Sequence, residues 1–218
     1  MTTLSSPAQG LDGAAITGGL YTDVTEFARH TPWLNGPAET YSSLGMGVFV
    51  VFGLVAWWRA RHQGNAVMAA VLATPFAVVI AYAVNSGLKN MFQEQRPCRA
   101  LPNSFLIEAC PPVDDYAFPS NHTTVAVAFA VALLVVSRWL GSVALLAAVA
   151  MGVSRVYVGA HYPHDVAVGA LVGTVVTLLV ILAVRLLAVS HVRRLRTGAL
   201  APLLTAPGTV TGRPARAR

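Results

Sequence analysis

Residues 63–88 read QGNAVMAAVLATPFAVVIAYAVNSGL, a run without one Asp, Glu, Lys, Arg or His. A helix crosses a bilayer with roughly 20 mostly apolar residues, and this run is long enough. Similar runs recur on either side of it. Residues 40–58 are free of charge, and residues 116–137 hold His122 as their one group titrating near neutrality. Residues 139–154 are apolar and end at Arg155, and residues 166–184 are charge-free with apolar residues continuing past Arg185. The pattern predicts five spans, at about 41–58, 67–88, 120–137, 140–157 and 165–188, and hence an all-α polytopic membrane bundle.

Composition agrees. Charged residues make up 11% of the 218-residue chain and hydrophobic residues 55%, against about 25% charged in an ordinary soluble protein. Mean hydropathy is +0.60. Such a chain is too apolar to be disordered. With 2 cysteines it is no disulfide-dense secreted scaffold. No internal repeat is visible.

The net charge is +6, and its distribution argues topology rather than nucleic-acid binding. With alternating spans, one side of the membrane receives Arg59, Arg61, Arg138, Arg193, Arg194 and Arg196 and no acid. The other receives every Asp and Glu, together with the long 89–118 loop. Excess Lys and Arg in short loops marks the cytoplasm. The loop side is therefore expected to face outward across the plasma membrane, with the C-terminus cytoplasmic.

Cys98 and Cys110 lie in that loop, where an oxidising exterior permits a disulfide. Two unpaired thiols are the alternative. The first basic residue is Arg29, so a cleavable leader with a charged start is not expected. Residues 1–39 read as a flexible start followed by a short amphipathic helix carrying Leu20, Val24, Phe27 and Ala28, or by an ordinary lead-in. Residues 40–190 form the membrane domain, and residues 191–218 a disordered basic tail beside anionic lipid.

Ionisable groups at span ends are costly and point to function. Three clusters fall at the loop-side ends: Lys89 and Arg96 in KNMFQEQRP, His122 in FPSNHTT, and Arg155, His161 and Asp165 in SRVYVGAHYPHD. A lone Lys or Arg would snorkel to the headgroups. Three cations converging with few acids nearby instead suit a tetrahedral oxyanion. Pro119 and Ser120 open a helix whose free N–H groups would add to such a site. Asp165, four residues after His161, can hold one ring nitrogen and leave the other free to attack. His122 can then protonate the departing oxygen. One histidine must be neutral and the other charged, which predicts a bell-shaped pH profile. His161, His164 and Asp165 also admit a metal reading, but three cations repel a metal. No metal is expected, and His164 is placed at the rim.

Together these stretches resemble a known signature. Lys89 to Pro97 fits K-x6-R-P, Pro119 to His122 resembles P-S-G-H, and Ser154 to Asp165 fits S-R-x5-H-x3-D. This is similar to the three-part pattern of the type 2 phosphatidic acid phosphatase (PAP2) superfamily, which includes vanadium haloperoxidases. The resemblance covers about residues 40–190. It implies that Lys89, Arg96 and Arg155 bind phosphate, helped by Ser120 and the backbone at Asn121. It further implies His161 as the nucleophile of a phosphohistidine intermediate, Asp165 as its orienter, His122 as general acid, and no cofactor.

Asn121 stands where Gly is commonest, and five spans stand where six are usual. The Asn form resembles the P-S-D-H of bacitracin-resistance-type undecaprenyl diphosphate phosphatases, and residues 154–165 are close to theirs. The expectation is an integral-membrane lipid phosphatase acting on a polyprenyl (undecaprenyl or decaprenyl) diphosphate. Phosphatidylglycerol phosphate, phosphatidic acid and a polyprenyl phosphosugar are alternative substrates. Its partners would be that lipid and the bilayer. A haloperoxidase would be soluble and larger. A non-catalytic phospholipid-binding protein would not need the His161–Asp165 pair.

Overall fold

In the computed structural model, which describes residues 10–207, ten helices occur and no strand is found among the described residues. They are α1 (Gly13–His30), α2 (Pro32–Leu44), α3 (Met46–Ala60), α4 (Asn65–Phe92), α5 (Pro97–Ala100), α6 (Asn121–Val136), α7 (Arg138–Tyr157), α8 (Pro163–Leu187), α9 (Val189–Thr197) and α10 (Ala201–Leu204). The charge-free 63–88 run becomes α4, and the other four expected spans become α3, α6, α7 and α8.

By length and apolarity, α4, α7 and α8 can each cross a membrane. The pair α2–α3, bent by 54° at Gly45, makes a fourth if it counts as one broken span. Length and apolarity thus mark three or four spans, against the expected five. The remaining one, α6, has 16 residues and extends about 24 Å at 1.5 Å per residue, against a hydrocarbon core of about 30 Å. It tolerates the shortfall because it lies inside the bundle, packed by α3, α4, α7 and α8. Buried residues such as Thr123, Val127, Ala128 and Leu133 point to every side of it. Its Ala-rich sequence lets the surrounding helices close in.

The contact between α6 and α8 is tight because α8 presents Gly169 and Gly173. A Cβ on Gly169 would lie 2.7 Å from the Ser120 carbonyl oxygen, and one on Gly173 would lie 2.5 Å from that of Thr124. Small residues of this kind let helix backbones approach closely. The approach brings the starts of the two helices together, and the Ser120 N–H donates to the Asp165 carbonyl at 3.1 Å. Outward faces are apolar, with Phe76, Val79, Leu171 and Leu182 exposed, as a lipid-facing surface requires.

Both ends of the described chain are more ordered than expected. Helix starts at Gly13, capped by Asp12 Oδ1 accepting from Ala15 N–H at 3.2 Å. The buried face of α1 carries Tyr21, Thr25 and Ala28, while Leu20 and Phe27 of the expected apolar face are exposed. This helix packs on α7 and α8, and Tyr21 donates to the Gly159 carbonyl at 3.1 Å. Within the expected 191–218 tail, residues 191–197 belong to α9 and residues 201–204 to α10. Their anchor is Arg196, buried, which donates to the carbonyls of Gln63 at 2.8 Å and Arg61 at 3.1 Å. Residues 1–9 and 208–218 lie outside the described residues. Cys98 and Cys110 are joined by a disulfide.

Candidate active site

The turn between α7 and α8 sets the central imidazole. Gly159 has φ +86°, a left-handed conformation that a side chain resists. The N–H groups of Ala160 and His161 then both donate to the Arg155 carbonyl, at 3.0 and 3.1 Å. Pro163 takes the first helical position, where its missing N–H costs nothing. Asp165 Oδ2 accepts from the Tyr162 N–H at 2.8 Å and faces His161 Nδ1 at 3.2 Å. Both side chains are buried. A carboxylate at Nδ1 holds the proton there, so Nε2 carries the lone pair. Arg96 approaches that nitrogen at 3.2 Å. Burial, and then the charges of Arg96, Arg155 and Lys89, depress the His161 pKa well below the usual imidazole value.

Lys89, Arg96 and Arg155 gather around this ring, all buried. They are not bare. Asp115 bridges two of them, at 3.1 Å from Lys89 Nζ and 2.8 Å from Arg96. Glu108 takes Arg155 in a two-pronged pair at 2.7 and 3.1 Å. Arg155 also donates to Ser42 Oγ, while its Nε is buried without a hydrogen-bond partner. The expected scarcity of acids is thus corrected. The 89–118 loop folds back and lays two carboxylates on the three buried cations, each buried charge gaining a partner. Burial alone would raise Asp115, but Arg96 and Lys89 hold its carboxyl below the ordinary aspartate range.

The start of α6 completes the pocket. Ser120 is buried, and no side chain caps the helix, so first-turn N–H groups remain for an anion. Asn121 Oδ1 accepts from Asn85 Nδ2 at 2.7 Å, and the same amide group donates to the Pro119 carbonyl at 3.0 Å. His122 follows Asn121 in the first turn of α6 and stands at the same end of the bundle. It also contributes to the field on His161. All eight residues read from the sequence therefore meet at one end of the bundle.

Sequence reasoning missed four further residues. Asn85 was visible as a lone amide within an apolar run, and its side chain ties α4 to the start of α6. Glu108 and Asp115 gave no signal, since their roles depend on how a long loop closes. Glu94, wholly buried between Lys89 and Arg96 in sequence, contacts His164 Nε2 at 2.9 Å. One atom each from Glu94, His164 and Asp165 lies within 4.8 Å of the other two. His164 is thus no rim residue, because its Nδ1 is engaged as well, by Thr17 Oγ1 at 2.7 Å.

Comparison with known proteins matches this arrangement. A model of the PAP2 superfamily covers residues 70–187. The chain is 33% identical over 158 residues to the bacitracin transport permease protein BcrC of Bacillus licheniformis, spanning 72% of this chain and 75% of that one. It is 35% identical over 102 residues to an undecaprenyl-diphosphatase of Sulfolobus acidocaldarius, spanning 46% and 48%. The crystal structure of Aquifex aeolicus LpxE superposes with a TM-score of 0.64 at 25% identity, over 79% of this chain and 99% of that one. Motif, fold and relatives agree, and the chain is a membrane phosphatase belonging to the PAP2 superfamily.

Proposed function

We propose that this phosphatase removes the terminal phosphate of a polyprenyl diphosphate at the outer face of the plasma membrane, leaving the monophosphate. The observation that carries the reading is the buried His161–Asp165 pair at 3.2 Å, with three cations around its free nitrogen. A diphosphate brings two anionic groups, which suits a pocket where Asp115 and Glu108 already stand in for phosphate oxygens on two sets of cations. The relative named undecaprenyl-diphosphatase supports that substrate. Phosphatidylglycerol phosphate, phosphatidic acid and polyprenyl phosphosugars are outcomes of a substrate panel.

In the proposed reaction the substrate phosphate displaces Asp115 and Glu108 and takes the N–H and guanidinium donors of Lys89, Arg96, Arg155, Ser120 and Asn121. His161 Nε2 gives its lone pair to phosphorus, and the bond from phosphorus to the leaving oxygen breaks. His122, which takes up a proton from solvent as the substrate's negative charge enters among the cations, supplies it to that oxygen. Asp165 stabilises the charge that develops on the ring. Water then attacks the phosphohistidine as His122 takes its proton, and the P–N bond breaks to release inorganic phosphate and neutral His161.

The test is phosphate release by detergent-purified protein with EDTA present. The wild type is expected to release phosphate, with polyprenyl diphosphate giving the highest kcat/KM. His161→Ala is expected to lose at least about 10³-fold in rate. Release that stops on adding EDTA, or survives in His161→Ala, overturns the phosphohistidine route.

A further inference from the structure

Behind the nucleophile lies a second carboxyl that the proposed reaction does not use. Glu94 is fully buried, and its Oε1 has no hydrogen-bond partner. Asp165 Oδ1 is in the same position. The two carboxyl groups converge on one imidazole nitrogen, His164 Nε2, which lies 2.9 Å from Glu94 Oε2 and 3.4 Å from Asp165 Oδ1. His164 Nε2 carries one proton and can satisfy one of these oxygens, so two buried carboxyl groups gathered around it call for a second proton between them.

The rest of the cluster fixes where that proton sits. Asp165 Oδ2 faces two N–H donors, Tyr162 N at 2.8 Å and His161 Nδ1 at 3.2 Å. Glu94 has one, His164 Nε2 at 2.9 Å. The carboxyl that accepts from more N–H donors is the one held ionised, so Asp165 is charged and Glu94 is the acid. His164 then donates through Nε2 and accepts the Thr17 hydroxyl at Nδ1, 2.7 Å away. Every proton in the chain Thr17–His164–Glu94–Asp165–His161 is accounted for. Gly13 of α1 seals the cluster, since a Cβ there would come within 2.5 Å of Glu94 Oε1.

We propose that Glu94 is a positioning residue for the reaction at His161: as the neutral acid it donates to Asp165 Oδ1, and so keeps a single, fixed negative charge behind the imidazole. The role rests on His161 being the nucleophile. Burial, with the charge of Asp12 adding to it, pushes the Glu94 pKa up to about 7. The titratable groups facing it are Asp12 before α1, Tyr162 before α8, and His164 and Asp165 on α8. Above neutrality Glu94 ionises, two carboxylates oppose each other, and Asp165 loses its fixed place.

Glu94→Gln tests this, because an amide keeps the shape, still donates to Asp165 and cannot ionise. Phosphate release is measured from pH 5 to 9, with kcat and KM separated. The variant is expected to match the wild-type KM, and its alkaline limb is expected to lie higher by about one pH unit or more. Thermal unfolding supplies an independent reading. An acid whose folded pKa is raised costs stability as pH climbs from its unfolded to its folded value, so the melting point of the variant should gain on the wild type between about pH 4.5 and about pH 7 and keep that lead above. An active wild type whose Gln variant keeps the same alkaline limb overturns the role of Glu94 alone, as does a change confined to KM. A wild type that releases no phosphate from any lipid phosphate overturns the function and this role together.

Discussion

His161 sits where burial and three cations all oppose a positive charge on its ring, which favours a nucleophile that stays neutral. The acid limb of kcat/KM is therefore expected below the ordinary imidazole value of 6.5. A rate profile with its acid midpoint at or above that value contradicts a neutral, buried His161. Asp115 makes a second prediction at this scale. Its carboxyl stays ionised at neutral pH and, in the proposed reaction, leaves Lys89 and Arg96 as phosphate binds. With its side chain 44% exposed, the pair is worth about 0.5–1 kcal/mol, so Asp115→Asn should lower KM roughly two- to fivefold with little change in kcat. Steady-state kinetics check both. At this scale the sequence was most legible where side-chain chemistry and spacing coincide, as with Asp165 four residues from His161. It was least legible where the partner arrives from a distant loop, as with Glu108 on Arg155, 47 positions away.

Among the elements, α6 and α8 decide whether the site exists, since each contributes its N-terminus. The glycine pair on α8 governs their distance. Gly173→Leu would push the helices apart against the Thr124 carbonyl, and overpacking of this kind costs about 1–3 kcal/mol. The expected result is a lower melting point with activity reduced alongside it, read by thermal unfolding and phosphate release. An unchanged melting point would show that the contact is looser than described. Helix positions were readable from the sequence because charge-free runs are unambiguous. Helix lengths were less so. The broken start at Gly45 and the short α6 depend on packing, and apolarity alone cannot separate a lipid-facing helix from one enclosed by its neighbours. The order in α1 and α9 came from anchors, Tyr21 and Arg196, that look unremarkable in a polar segment.

Viewed as a whole, the molecule is polarised. Arg59, Arg61, Arg138 and Arg194 gather at the end opposite the candidate site, while Glu108, Asp114 and Asp115 lie at the site end. The positive-inside rule predicts that the candidate site opens outward. Single cysteines test this, because the described residues contain no free thiol. Val113→Cys, on the exposed loop, should react with a membrane-impermeant thiol reagent on intact cells. Arg194→Cys should react only after permeabilisation, and the reverse pattern would invert the topology. The folded-back loop also bears on the end of each catalytic cycle. Inorganic phosphate, once freed, meets rivals that are covalently part of the enzyme and cannot be diluted. In the proposed cycle Asp115 and Glu108 return to their cations as the product departs, so the protein would carry its own displacing anion against what it makes.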